Sequence, residues 1–321
     1  KNRLIKRGNE NVVEARLTDA EYFWEKNKSK NMIKQVSSLD NINYFKGLGS
    51  YLDKVQRLKK ISGLLSDEFL ISKEKVELAS TLSKVDLLSE LVNEFPELQG
   101  VLGGYFAEAQ GFDKEISESI KEQYLPSGPL SGIPRSNYSI ALSISDKIDT
   151  LVGFFGLNIM PSSSKDPYGL RRLAIGLIRI IVHNKKNIKL KELINFSCQA
   201  YSAQSIKFNN KTITDKLSNF ILERFKYFMK EKEIRKDIIE SSLINFKIDD
   251  LLIIYLKAQK LNKIINKEIG ADLIKNYKRS FNILNSEMNK IDNENFSNVD
   301  PALFKSDYEK DLYKKLHEII K

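Results

Sequence analysis

Along most of this chain apolar residues return every three to four positions, the period at which a helix presents one face to a core. Leu17, Ala20, Phe23 and Trp24 mark such a face over residues 15–26. Tyr51, Val55, Leu58 and Ile61 mark a second helix, expected to end near Gly63. Ser72 is a natural N-cap for a third, followed by Val76, Ala79, Leu82 and Leu87 out to about residue 94. Pro96 then forces a break, because proline removes a helical hydrogen bond and collides with the preceding turn. Residues 98–109 predict a short helix whose Gly100, Gly103 and Gly104 allow another backbone to come close. Pro126, Gly128, Pro129, Gly132 and Pro134 make residues 125–136 the clearest loop.

A strongly apolar helix follows over 139–155. Asp166 is placed to cap the next helix, with Pro167 at its first position and Leu170, Leu173, Ala174, Leu177, Ile178 and Ile181 on its buried face. The basic, Asn-rich stretch 185–211 predicts a boundary, 213–230 an amphipathic helix and 231–246 a connection. A helical pair over 248–289, a loop over 291–301 and a last helix over 302–321 complete the chain. No strand and no internal repeat is predicted, so the fold class is all-α.

Composition narrows the chemistry. No apolar run reaches the ~18 residues that span a bilayer, and the first ten residues lack the apolar segment of a signal peptide. A first residue of Lys rather than Met predicts a fragment of a longer protein. Cys198 is the single cysteine, which excludes an intrachain disulfide and a Cys-rich metal site and fits the cytoplasm. The net charge of +10 favours a polyanionic partner.

Catalytic constellations are sparse. His183 and His317 stand far apart, read as surface residues at helix ends, and no phosphate-cradling glycine motif occurs. Asp86, Asp146 and Asp149 lie within apolar segments, where an aspartate must be paired or coordinated. Ion pairs with Lys84 and Lys147 are the expectation here, and no metal site. Residues 165–211 carry ten cations, Arg171, Arg172 and Arg179 among them, against Asp166 and Glu192. That excess suits phosphate neutralisation. Lys275, Lys278 and Arg279 interleave with Tyr277 and Phe281, a mixture that suits phosphate contact with base stacking.

Several stretches together resemble the β subunit of bacterial glycyl-tRNA synthetase. They are ARLTDAEYFW at 15–24, KVDLLSELVNEFPELQG at 84–100, DKIDTLVGFFG at 146–156 and SKDPYGLRR at 164–172. KRSFNIL at 278–284 and PALF at 301–304 look like the family's anticodon-binding region. The resemblance implies an HD-domain-like helical bundle with an N-terminal linker over 1–205, a helical linker over 206–247 and a truncated anticodon-binding domain over 248–321. It implies a chain without its own catalytic site, serving an α₂β₂ ligase whose α subunit uses ATP and magnesium to glycylate tRNA(Gly). The chain itself would bind no cofactor and no metal. Asp86 and Asp146 would be remnants of a hydrolase site that has lost its histidines. Arg171, Arg172, Arg179, Lys275, Lys278 and Arg279 are the candidates for tRNA contact, chosen on charge. The rival expectation is a metal-dependent HD-type nucleotide phosphohydrolase.

Overall fold

A computed structural model describes residues 2–244, 249, 251–288 and 299–320, and the chain divides into compact units of residues 1–262 and 263–321. Both are built from helices, and the fold is all-α. The first unit opens with α1 (Asn2–Lys28) and α2 (Met32–Gln35), then a 3₁₀ turn at Val36–Asn41. Two short strands, β1 (Asn43–Phe45) and β2 (Gly49–Ser50), pair antiparallel. They are absent from the sequence expectation because segments this short cannot display a two-residue alternation.

Ser50 ends the strand pair and caps α3 (Tyr51–Phe69): its hydroxyl accepts the Asp53 amide while the Asp53 carboxylate accepts the Ser50 amide. The helix runs past Gly63 and stops at Leu70, whose φ of 54° is left-handed. Gly63 ends nothing. It lies where an added Cβ would meet the carboxylate end of Glu77 on the next helix. That helix, α4 (Lys73–Leu82), is capped by Ser72 as expected, but it ends earlier than its apolar period suggests. A 3₁₀ turn at Val85–Leu88 and α5 (Glu90–Glu94) follow instead, with Ser89 capping the latter.

Helices α6 (Val101–Ala109) and α7 (Lys114–Glu122) pack closely on one another. The sequence period does not predict α7, because Ile116 and Ile120 are its only strongly apolar residues. The loop at 125–136 leads to α8 (Asn137–Gly156), buried from Ser139 to Asp149 without a break and contacted by α3, α4, α7, α9, α10 and α11. Of these, α9 (Leu170–His183) begins later than predicted. Gly169, at φ 65°, precedes it, and the Asp166 carboxylate reaches in from outside to accept the Leu170 and Arg171 amides.

The stretch expected as a boundary holds α10 (Leu190–Ser202), which buries Leu193, Ile194, Cys198 and Tyr201. The predicted amphipathic helix is α11 (Asn210–Glu231). The expected connection carries α12 (Lys236–Leu243), where Ile238 and Ile239 are buried. The predicted pair appears as α13 (Leu251–Ile265) and α14 (Glu268–Met288). Residues 291–298 of the expected loop lie outside the described residues, and its last residue, Pro301, opens a 3₁₀ turn at Pro301–Leu303. α15 (Asp307–Ile320) closes the second unit. No helix among the described residues is long and apolar enough to cross a membrane.

A core of Val55, Leu58, Ala79, Leu82, Leu102, Phe106, Ile120 and Leu142 joins α3, α4, α6, α7 and α8, with Phe23 and Trp24 of α1 packed against it. Of the three glycines predicted to admit a neighbouring backbone, Gly104 does so, whereas Gly100 and Gly103 face side chains of Tyr124, Gln123, Asp86 and Ile120. A Cβ on Gly104 would stand 2.5 Å from the carbonyl oxygen of Ser117 on α7. Gly104→Ala should therefore separate α6 from α7 and lower the unfolding free energy by about 1–3 kcal/mol. Urea denaturation measures this, and a variant as stable as the parent would contradict such close packing.

Candidate functional site

Behind α8 lies a buried charged network. Asp146 and Asp149 project from α8 and meet cations from two other segments. The Lys54 ammonium of α3 lies 3.3 Å from Asp146 and 3.1 Å from Asp149. Arg57, one turn on, donates to Asp149 through Nε at 2.6 Å and Nη2 at 3.2 Å. The Lys84 ammonium sits 2.9 Å from Asp146 and also donates to Gln123 and Tyr124. From α10, the Tyr201 hydroxyl donates to the Asp149 carbonyl, and its ring lies 3.9 Å from the Arg57 guanidinium.

The pairing differs from the sequence expectation. Lys84 pairs with Asp146 and not with its near neighbour Asp86. Lys147 has no carboxylate within ion-pair distance among the described residues. Its ammonium donates to the Leu125 carbonyl and the Ser143 hydroxyl, each at 2.7 Å. Helical geometry explains this, since successive residues point about 100° apart and Lys147 faces away from the cluster that Asp146 enters. Lys54 and Arg57 went unpredicted, although two cations on the apolar face of Val55, Leu58 and Ile61 are a legible sign of buried acids opposite.

Electrostatics follow the geometry. Burial alone would raise the Asp146 carboxyl, but Lys54 and Lys84 outweigh it and hold the group well below the usual range. Asp149 is lowered in the same way, with Arg57 and Lys54 overcoming burial. Asp86 forms no ion pair among the described residues, and the nearby charge of Lys84 only partly offsets its burial. Burial pushes it up to about 6, opposed mainly by the Gly100 amide. One of its oxygens is buried without a hydrogen-bond partner. Burial drives Lys147 down to about 7, and the pull of Asp146 restores only part of the loss. Thus Asp86 and Asp146 share one buried region and the influence of Lys84, but only Asp146 is ion-paired. No group of three or more His, Cys, Asp or Glu side chains converges among the described residues. Protein cations occupy the places at Asp146 and Asp149 that a metal ion would need, so this donor set does not fit one.

The surface candidates separate. Arg172 and Arg179 are seven residues apart, two turns of α9, and so share a face. Both line a cleft of about 570 Å³ between the 125–136 loop, α9 and α11, together with Pro126, Tyr227 and Lys232. A second cleft of about 430 Å³ continues it past Arg179, Phe228 and Lys232 to His183, Lys185 and Tyr255. Glu231 is the one acid on either lining. Arg179 is partly committed, donating to the Gly128 and Ser131 carbonyls at 2.6 and 3.0 Å. Arg171 points elsewhere and donates to the Ser162 carbonyl. Arg172 and Lys232 make no ion pair among the described residues.

Other members of the basic run are dispersed: Lys189 pairs with Glu192, and Lys186 lies over the Phe69 ring. The far wall of the clefts went unpredicted, yet Tyr227, Phe228 and Lys232 follow the same aromatic and basic interleaving that singled out residues 275–279. In the second unit Lys275, Lys278 and Arg279 are exposed on one side of α14. Tyr277 and Phe281 stack on each other at 6.0 Å, and the helical period puts them roughly opposite those cations.

Comparison with known proteins gives a consistent result. Residues 1–244 match the family profile described as "Glycyl-tRNA synthetase beta subunit". The glycine–tRNA ligase beta subunit of Rickettsia canadensis is 36% identical over 321 residues, covering 99% of this chain and 45% of the relative. That of Phenylobacterium zucineum is 34% identical, covering 89% of this chain and 40% of the relative. That of Clostridioides difficile is 33% identical, covering 98% and 45%. The chain therefore spans less than half the length of these curated relatives.

Two outcomes test the buried network. Asp149→Ala strands Arg57 and should cost about 3–5 kcal/mol of stability, whereas Asp149→Leu with Arg57→Met should cost much less. Equal losses in the two variants, measured by urea denaturation, would contradict this. Lys147 is depressed to about 7 in the fold against an ordinary 10.5, so between these values the unfolded chain binds the extra proton and stability rises with pH. The slope should be about 1.4 kcal/mol per pH unit, and Lys147→Met should flatten it between pH 7 and 9.

Proposed function

The chain belongs to the glycyl-tRNA synthetase beta-subunit family, and from that premise we propose that it is a tRNA-binding part of a glycine–tRNA ligase. It supports ATP-dependent glycylation of tRNA(Gly) in the cytoplasm, within an α₂β₂ assembly whose α subunit performs the chemistry with ATP and magnesium. The observation that carries this reading is the pair of joined clefts on the first unit. Arg172, Arg179, Lys185 and Lys232 line them against Glu231 alone. Cations without carboxylate partners are those whose counterions a polyanion can release, and that release drives binding to nucleic acid.

The buried network supports the same division of labour. On this reading, an HD-type bundle keeps Asp86 and Asp146 as remnants, with Lys54, Lys84 and Arg57 supplying the positive charge that the lost metal gave. A metal-dependent phosphohydrolase would have to expel these buried cations before its carboxylates could coordinate an ion. Lys275, Lys278 and Arg279 form a separate basic face on α14, which we assign to tRNA as part of an anticodon-binding domain.

Among the three candidate arginines of α9, Arg172 has the guanidinium available to phosphate. Arg172→Ala combined with Lys232→Ala should weaken tRNA(Gly) binding and lower its salt slope by about one for each cation. Arg171→Ala should change the slope less. Filter binding across a salt series measures both, and an unchanged slope in the double variant would remove the clefts from the tRNA surface.

A further inference from the structure

The joined clefts also indicate which kind of RNA they take, an inference resting on the tRNA-binding reading. α9 forms their floor from Arg172 to His183, a run of about 16 Å at the helical rise. On one side stands the 125–136 loop, which presents Pro126 and Pro129; on the other stand α11 and α13 with Tyr227, Phe228 and Tyr255. The cations are strung along this length rather than gathered at one point: Arg172 at one end, Lys232 in the middle, Lys185 at the other. Duplex RNA is held by its backbone and its shallow groove, and its bases are stacked away from aromatic side chains. A trough with cations along its course and rings on its wall suits a strand whose bases are free.

We propose that this trough binds a short unpaired segment of RNA in extended form. Arg172, Lys232 and Lys185 neutralise successive phosphates, and one base stacks on Tyr227. Tyr227 is the ring best placed for this, being 52% exposed on the cleft wall, whereas Phe228 is buried. Glu231 lies against its hydroxyl, where hydrogen bonding and repulsion together raise the phenol. On the floor, Gly176 lets α9 pack against the loop wall, where an added Cβ would meet Lys147 and Pro126.

The test is fluorescence anisotropy on the 321-residue chain, with fluorescein-labelled hexauridylate, an RNA hairpin with a fully paired stem, hexaglutamate and intact tRNA(Gly) as probes. Hexauridylate should bind more tightly than the hairpin and than hexaglutamate. Tyr227→Ala should weaken hexauridylate about tenfold, as loss of one stacked base does, while Tyr227→Phe retains binding. Equal affinity for hairpin and hexauridylate, or for hexaglutamate, would overturn the proposal and leave a general anionic surface. So would an unaffected Tyr227→Ala. If tRNA binds and hexauridylate does not, this inference falls and the tRNA-binding reading stands. If neither binds, both fall.

Discussion

Two carboxylates on a buried stretch of helix can ionise only if cations are brought to them, and the first unit is organised around that condition. Asp146 and Asp149 lie on α8, and their countercharges come from α3 and from the segment at Lys84. Removing a carboxylate from water costs several kcal/mol, and attraction in the low-dielectric interior offsets it only with close, well-directed partners. Arg57 supplies such geometry with its two-pronged contact to Asp149, while Lys54 bridges both acids. The network therefore fixes α3 on α8 in one register, and Tyr201 extends the tie to α10. Hydrophobic burial alone, which has little directionality, would tolerate a slide of one helix along the other.

Lys147 shows what happens without a partner. It lies beside Asp146 in sequence and equally deep, yet faces away from the cluster and gives up its proton near neutrality. A neutral amine can still donate a hydrogen bond, and it donates to the carbonyl of Leu125. Asp86 makes the complementary compromise, holding its proton up to about pH 6 beside the Gly100 amide. Burial thus sorts the ionisable groups into those that keep their charge because opposite charges meet them and those that surrender it.

How much of this could be read from the chain depends on the range of the interaction. Periodicity located α3, α4, α8, α9 and α11 because each buries a long apolar stripe, visible in sequence as spacing. It passed over α7 and α12, where two isoleucines carry the buried face and context supplies the rest. The beginning of α9 was displaced because Asp166 caps from four residues upstream through Gly169. Site chemistry divides likewise. Arg172 and Arg179 share a face for reasons internal to one helix, so spacing predicts their company. Lys232 joins them from α11, and no local pattern encodes that meeting. The pairing of Lys84 with Asp146 rather than Asp86 is likewise a property of the packed fold.

The buried interior and the basic surface are connected through one loop. From inside, Lys147 and Ser143 donate to the carbonyl of Leu125. From outside, Arg179 donates to the carbonyls of Gly128 and Ser131. The loop wall is thus held from both sides by side chains of helices already fixed in the core. A wall held in this way need not be ordered when a ligand arrives, so less of the interaction energy is lost to immobilisation. The arrangement has a consequence for how the charge of the cleft is divided. Arg179 spends its hydrogen bonds on shape and contributes its charge at a distance, whereas Arg172 and Lys232 retain donors for direct contact. Shape and attraction are therefore separable here: altering Arg179 disturbs both, while altering Arg172 or Lys232 leaves the wall in place and changes only what it attracts.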